Sequence, residues 1–195
     1  MASLRWNTLR LRIKDTGFRW DGSYYYDDVY RCPSFQKDYL FTDTFNRIDN
    51  GDRRFEWGEH VDYETYEYLD TFLKYCYENN ITVIGFTPPF APSVYNKMIA
   101  SGKYGYLTEI DDMCEQLLAK YDYEYYSYMS GDILGTEDSY YVDGFHGSEV
   151  VYAYIIKDML SHQSSIGQYI DEDRLNDLLN NSYSNLTLEK LMHED

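Results

Sequence analysis

At 195 residues with three cysteines, the chain has the length of one domain and enough residues to bury a sizeable core. A formal net charge of −17 and a pI near 4.4 argue against nucleic acid and anionic membrane surfaces as partners. No apolar run approaches the roughly 18 residues of a membrane span, and Cys32, Cys76 and Cys114 lie too far apart for a zinc site or a disulfide framework, so no metal, cofactor or membrane insertion is expected.

Residues 1–16 read as a basic amphipathic helix, with Leu4, Thr8 and Leu11 along one line, Trp6, Leu9 and Ile13 beside it, and Gly17 as the C′ residue. Arg5, Arg10, Arg12 and Lys14 interrupt any signal-peptide core, which predicts no export by its own signal. The chain then reads as cytoplasmic as it stands, with an extracytoplasmic parent enzyme kept open. A helix this early, carrying a Trp, wants something to pack against and hints at a missing upstream portion. Next, Trp20-Asp21-Gly22-Ser23 between aromatic runs predicts a hairpin or tight loop leading into Tyr24, Tyr25 and Tyr26. Residues 33–48 suit a helix with Phe35, Tyr39, Phe41 and Phe45, broken by Asn50-Gly51-Asp52. Together, 1–61 reads as an N-terminal helix followed by an insertion or cap.

From Asp62 the pattern sharpens. That residue is an N-cap, and Tyr66, Leu69, Phe72, Leu73 and Cys76 form one apolar stripe until Asn79-Asn80. The β-rich run 81–86 lacks alternation and predicts a strand buried on both faces, hence an α/β layer. Thr87-Pro88-Pro89-Phe90-Ala91-Pro92 ends it, because prolines cannot continue a ladder. The loop lies where open α/β sheets place their ligands, and reads equally as pocket wall or plain terminator. Residues 92–101 predict a short helix ended by Gly102; Thr108 then caps another that buries Ile110, Met113, Cys114, Leu117, Leu118 and Tyr121. A second strand is expected over 123–129, and right-handed crossovers would bring Thr87, Ser130 and His146 to one sheet edge.

The stretch 140–160, YYVDGFHGSEVVYAYIIKDML, carries the chemistry. It predicts a short strand over 139–142, a loop Asp143-Gly144-Phe145-His146, and a helix capped by Ser148 with Val151, Tyr152, Ile155, Ile156 and Met159 on one face. A carboxylate and an imidazole three residues apart, on a loop between rigid elements, can be aimed at one point as a base and its orienting partner. The plainer reading is a turn Asp that bonds its own backbone, followed by a His near a helix N-terminus. With 34 acidic residues and four His, such a pair also arises readily by chance. Residues 62–163 make up the α/β core, and 164–195 an acidic tail whose amphipathic pieces, 175–179 and 188–192, are too short to stand alone. The 24 Tyr serve either as core cover or as sugar-stacking surface.

The buried strand ending in Thr87-Pro88-Pro89, the amphipathic helix and second strand, and Asp143-Gly144-Phe145-His146 with Ser148 opening a helix resemble the C-terminal half of an SGNH (GDSL-type) hydrolase over roughly residues 62–162. Residues 4–26 are also similar to the linking region of cell-wall and exopolysaccharide-modifying members. The resemblance implies a flavodoxin-like three-layer parallel sheet with flanking helices, lacking its N-terminal strands. It implies Asp143 and His146 as catalytic members of a Ser-His-Asp triad, with Thr87, Pro88, Pro89 and Ser130 toward the substrate. That substrate would be an acylated carbohydrate or small ester. The departures are as definite. Asp21-Gly22-Ser23 has the wrong order for the family's Gly-x-Ser nucleophile turn and follows no buried strand; Asn50-Gly51-Asp52 likewise lacks the strand that precedes the oxyanion-hole Asn. Gly147 stands for the usual Pro after the His, and Val151 for a small residue in the first helical turn. Two accounts follow: a downstream part of an enzyme whose sheet is completed by a missing N-terminal half or a second copy, or a degenerate non-catalytic glycan- or protein-binding module.

Overall fold

The computed structural model describes residues 38–189 and the backbone of 16–18 and 24–26. Strands β1 (Thr16–Phe18) and β2 (Tyr24–Tyr26) pair antiparallel, Gly17 opposite Tyr25, in keeping with the hairpin expected between the aromatic runs; residues 19–23, with the Asp-Gly pair, lie outside the described residues. This corrects the expected helix end at residue 16 and Gly17, because cross-strand pairing claims Thr16 and Gly17. The rest of that expected helix, residues 1–15, lies outside the described residues, as do 33–37 and most of the piece 188–192.

Helix α1 (Thr42–Asn50) begins well inside the stretch expected to be helical. Leu40 and Phe41 take left-handed conformations, with φ of 56° and 57°, within a short 3-10 turn, and no α-helix runs through them. Phe41 cannot cap with its side chain, so Asp38 does it instead, its Oδ1 accepting from the Asp43 N–H at 2.8 Å and the Thr44 N–H at 3.0 Å. Gly51, at φ 65°, closes the helix by donating to the Arg47 carbonyl at 2.8 Å.

Helix α2 (Tyr63–Glu78) is capped by Asp62, which accepts from the Glu64 N–H at 3.1 Å. Leu73 and Cys76 are buried and Tyr66 and Leu69 half-buried, whereas Phe72, expected on the same stripe, is 55 % exposed. It sits one residue, and so about 100° of helix, away from Leu73. The parallel strands β3 (Ile84–Thr87) and β4 (Glu124–Ser127) follow, with Ile84 opposite Glu124 and Thr87 opposite Ser127. Both are shorter than expected, and β3 is not buried on both faces: Phe86 is 39 % exposed. Its ring meets that of Tyr152 edge on at 6.5 Å, and among the described residues β3 has a strand neighbour on one edge only.

Helices α3 (Pro92–Ser101, closed by Gly102) and α4 (Tyr106–Ala119) lie between the strands in sequence. α4 starts two residues before Thr108, whose hydroxyl donates back to the Gly105 carbonyl at 2.8 Å instead of capping. Alternation along the strands divides the core. Leu73, Leu117, Leu118 and Tyr121 cluster with Tyr125, while Ile84, Tyr126 and Tyr128 join Val151, Ile155 and Met159. A Cβ on Gly85 would lie 2.5 Å from Leu118 Cδ2, so the missing side chain is what lets α4 sit on β3.

Residues 139–142 are not a strand. Asp138–Tyr140 form a 3-10 turn, and only Tyr141 bridges, antiparallel, to Gly147. Helix α5 (Glu149–Ser161) buries Val151, Ile155 and Met159 but exposes Tyr152. α6 (Glu172–Asn180) docks on it through Leu175 and Leu179 against Val150 and Ala153. The described residues therefore form a mixed α/β protein with six α-helices and a short two-stranded parallel sheet. None of these helices is long and apolar enough to cross a membrane.

One carboxylate ties β4 to the segment after α5. Glu124 accepts from the Ser165 N–H and the Tyr126 hydroxyl, each at 2.8 Å. Burial opposes its charge, but these bonds and those of the Ser164 and Ser165 hydroxyls outweigh it and bring its pKa from 4.5 down to about 2. A depressed folded-state pKa stabilises above the unfolded value, and that stability is lost as pH falls from about 4.5 toward 2. Discounted for solvent, the contribution is roughly 1–2 kcal/mol. Glu124→Gln is expected to lose this amount at pH 7 and to flatten the acid limb of the stability curve. Urea unfolding across pH checks it, and a variant matching the parent at every pH would refute it.

Candidate active site

The loop Asp143-Gly144-Phe145-His146 is stapled at its base, where the Val142 N–H donates to the His146 carbonyl at 2.9 Å and the Ser148 N–H to the Tyr140 carbonyl at 3.1 Å. Ser148 caps α5 as expected, accepting from the Val151 N–H at 3.4 Å. Within the loop Asp143 uses its two oxygens differently. Oδ1 accepts from the backbone N–H of Phe145 at 3.0 Å and of His146 at 2.8 Å; Oδ2 accepts from His146 Nδ1–H at 2.7 Å. The turn bonds and the carboxylate–imidazole bond thus coexist, because the turn is what presents the second oxygen to the ring.

Burial alone would lift the Asp143 carboxyl, but the His146 hydrogen bond and charge and the two backbone N–H groups prevail and leave it below the ordinary carboxylate value. It is ionised at neutral pH and accepts only. The His146 side chain is 49 % exposed, and no group among the described residues bonds its Nε2. An imidazole with Nδ1 committed to a carboxylate and Nε2 open is equipped to take and return a proton.

Three loops meet here. The Ala91 N–H, at the end of the Pro-Pro loop, donates to the Gly144 carbonyl at 3.1 Å, while the Phe90 N–H bonds the Met129 carbonyl at 3.1 Å and the Gly131 N–H bonds the Phe90 carbonyl at 3.0 Å. The carboxyl ends of β3 and β4 are thereby joined to the Asp143–His146 loop. The contact runs through Phe90 and Ala91 rather than through the rim residues expected from sequence. Thr87 turns toward α4, where its hydroxyl bonds the Tyr125 hydroxyl and Asp111 Oδ1, the latter at 3.3 Å. Asp111 also accepts from the Tyr125 hydroxyl at 2.6 Å and from Ser127 Oγ at 2.5 Å. Burial, then the Asp111 hydrogen bond, push the Tyr125 hydroxyl well above its usual range, so it stays a donor. Ser130 is buried, donating to Asp132 Oδ2 at 3.1 Å and accepting from the Asp132 N–H at 3.3 Å as the cap of a 3-10 turn. Neither hydroxyl reaches His146. Pro89 is buried and Pro88 is exposed.

The sequence reading missed the residues that support the loop from the other side. The Phe145 ring packs 4.2 Å from the His146 ring and 5.8 Å from Phe55, and the Arg54 guanidinium lies 5.7 Å over it. Phe55, almost fully buried, also meets Phe90 at 6.2 Å. Arg53 and Arg54 have φ of 50° and 81°, a left-handed pair that turns Phe55 inward. The only local signal was the Asn50-Gly51-Asp52 break; nothing short-range announces that an aromatic after it plugs a loop some ninety residues on. Among the described residues no three His, Cys, Asp or Glu side chains are grouped to hold a metal ion. No family model, curated protein or solved structure matches the chain.

Proposed function

We propose that this chain is the downstream α/β portion of an SGNH-type ester hydrolase or O-acyltransferase acting on glycan or cell-wall esters, with its nucleophilic serine supplied from outside this chain. The observation that carries the reading is the 2.7 Å bond from His146 Nδ1–H to Asp143, with Nε2 open, on a loop joined to the carboxyl ends of two parallel strands. The reading places β3 and β4 in a flavodoxin-like three-layer sheet. Apolar clusters on both strand faces, the β3 edge that has no strand partner among the described residues and the exposed Phe86 support that placement. Further strands, from an N-terminal half or a second copy, would pair on that edge.

In this mechanism His146 Nε2 takes the proton of the serine hydroxyl as its oxygen attacks the ester carbonyl. Asp143 holds the ring in the Nδ1–H tautomer and stabilises the imidazolium. The proton passes to the leaving alkoxide as the acyl-oxygen bond breaks, giving an alcohol and an acyl-serine. His146 then deprotonates water, for hydrolysis, or a carbohydrate hydroxyl, for transfer, and returns that proton to the serine.

Produced with an upstream segment bearing a Gly-x-Ser turn, the chain is expected to present a serine that a fluorophosphonate labels, and His146→Ala is expected to abolish the label. Alone, it is expected to turn over aryl acetates little or not at all. Turnover by the 195-residue chain that vanishes in His146→Ala would reveal a nucleophile within it, contrary to this proposal. Labelling indifferent to the imidazole would remove His146 from the mechanism. A glycan- or protein-binding module is the second reading, favoured by the exposed aromatic side of α2 at Tyr68, Phe72 and Tyr75. Such a module takes no label with any upstream segment.

A further inference from the structure

We infer that the first turn of α1 positions the Asp143–His146 pair, with Thr44 as the contact residue and Asp38 as its anchor; this rests on reading that pair as a base and its orienting partner. Gly144 is the residue through which α1 acts on the pair, because it directly follows the carboxylate and lies two residues before the imidazole. Its φ is not left-handed, so conformation does not require a glycine there. Space does. A Cβ on Gly144 would lie 2.6 Å from Thr44 Cγ2, 2.8 Å from its Oγ1 and 2.9 Å from its Cβ. From the other direction the Gly144 carbonyl accepts the Ala91 N–H at 3.1 Å. The glycine backbone is therefore held between α1 and the start of α3, and a shift in either tilts the Asp143 carboxylate against the ring.

Thr44 itself has no freedom. It is fully buried, and its Oγ1 donates to Asp38 Oδ2 at 2.5 Å, which fixes its rotamer with the methyl nearest Gly144. The other oxygen of Asp38 accepts the Asp43 and Thr44 N–H groups. One carboxylate thus caps the helix and locks the threonine, and it reaches both only because Leu40 and Phe41 fold the chain back through the left-handed region. The segment before the recognisable core is in this way part of the site: Asp38 holds Thr44, Thr44 bounds Gly144, and Gly144 sets the separation of Asp143 and His146.

The test reads the imidazole, not activity. In the 15N-imidazole NMR spectrum of the 195-residue chain above neutral pH, His146 is expected to be held as the Nδ1–H tautomer. Thr44→Ala removes both atoms nearest Gly144, and the Nδ1–H to Nε2–H ratio is expected to fall about tenfold or more, toward the Nε2–H preference of free imidazole. Asp38→Asn, which loosens the rotamer without emptying the core, is expected to move the ratio the same way by less. Thr187→Ala truncates a threonine equally buried but tied to Glu149, and is expected to lower the melting temperature with no change in the tautomer. An unchanged ratio in folded Thr44→Ala, or in Asp38→Asn should the first variant not fold, overturns the inference while leaving the catalytic pair intact. A parent protein already in the Nε2–H form overturns both.

Discussion

On the proposed function, with the chain joined to a segment that carries the nucleophile, Asp143→Asn is expected to lower kcat by about 10⁴-fold with little change in KM. The direction follows from how the two oxygens are used. Oδ1 accepts two backbone N–H groups, so an amide at this position must place its oxygen there and turn its NH2 toward the ring. Nδ1 then has to accept, the ring proton moves to Nε2, and the atom that should take the serine proton already carries one. The loop keeps its turn while the imidazole is held in the wrong tautomer, so binding survives and proton transfer does not. Because Asp143 is held below the ordinary carboxylate value in the folded protein, it stays ionised through the neutral range and does not shape the pH profile there. Aryl acetate kinetics on parent and variant check this, with His146→Ala losing at least as much. A loss of less than tenfold in Asp143→Asn would mean the carboxylate does nothing beyond making the turn.

Phe55→Ala is expected to cost about 3–5 kcal/mol, as other buried aromatic truncations do. Phe55 is 1 % exposed and packs between Phe90 and Phe145. Its carbonyl accepts the buried Tyr104 hydroxyl at 2.8 Å, a group whose pKa is pushed up to about 12, chiefly by burial. The backbone conformation that turns Phe55 inward costs about 1–3 kcal/mol at each of the left-handed residues before it. Truncation leaves that cost in place and removes what offsets it. For a protein of this size the loss corresponds to a fall of roughly 6–20 °C in Tm. Phe55→Leu, which keeps most of the volume, is expected to cost about 1.5 kcal/mol or less. Urea unfolding measures both. A Phe55→Ala variant within 1 kcal/mol of the parent would show that the aromatic contacts around the loop do not hold it.

Much of the fold was legible locally. The bounds of α3, the Asp62 and Ser148 caps, the Gly51 and Gly102 stops and the antiparallel pairing of 16–18 with 24–26 were readable, because each depends on bonds spanning a few residues. Leu40 and Phe41 defeated the reading of 33–48, since apolar side chains in left-handed backbone carry no pattern. The run 139–142 looked extended, but with a single bridge to pair with it folds into a tighter turn. Ser130 and Thr87 looked like rim hydroxyls, and nearby carboxylates claim both.

The Asp143-Gly144-Phe145-His146 spacing by itself determined that carboxylate, backbone and imidazole can close on one another, because all the partners lie within three residues and need only a turn. Tertiary structure decided the rest. That Gly144 must be a glycine, that Phe55 seats Phe145, and that Ala91 ties the loop to the sheet are contacts between residues some fifty to a hundred apart. They exist only once the helices and strands have packed, since shape and burial, not sequence spacing, bring such distant groups together.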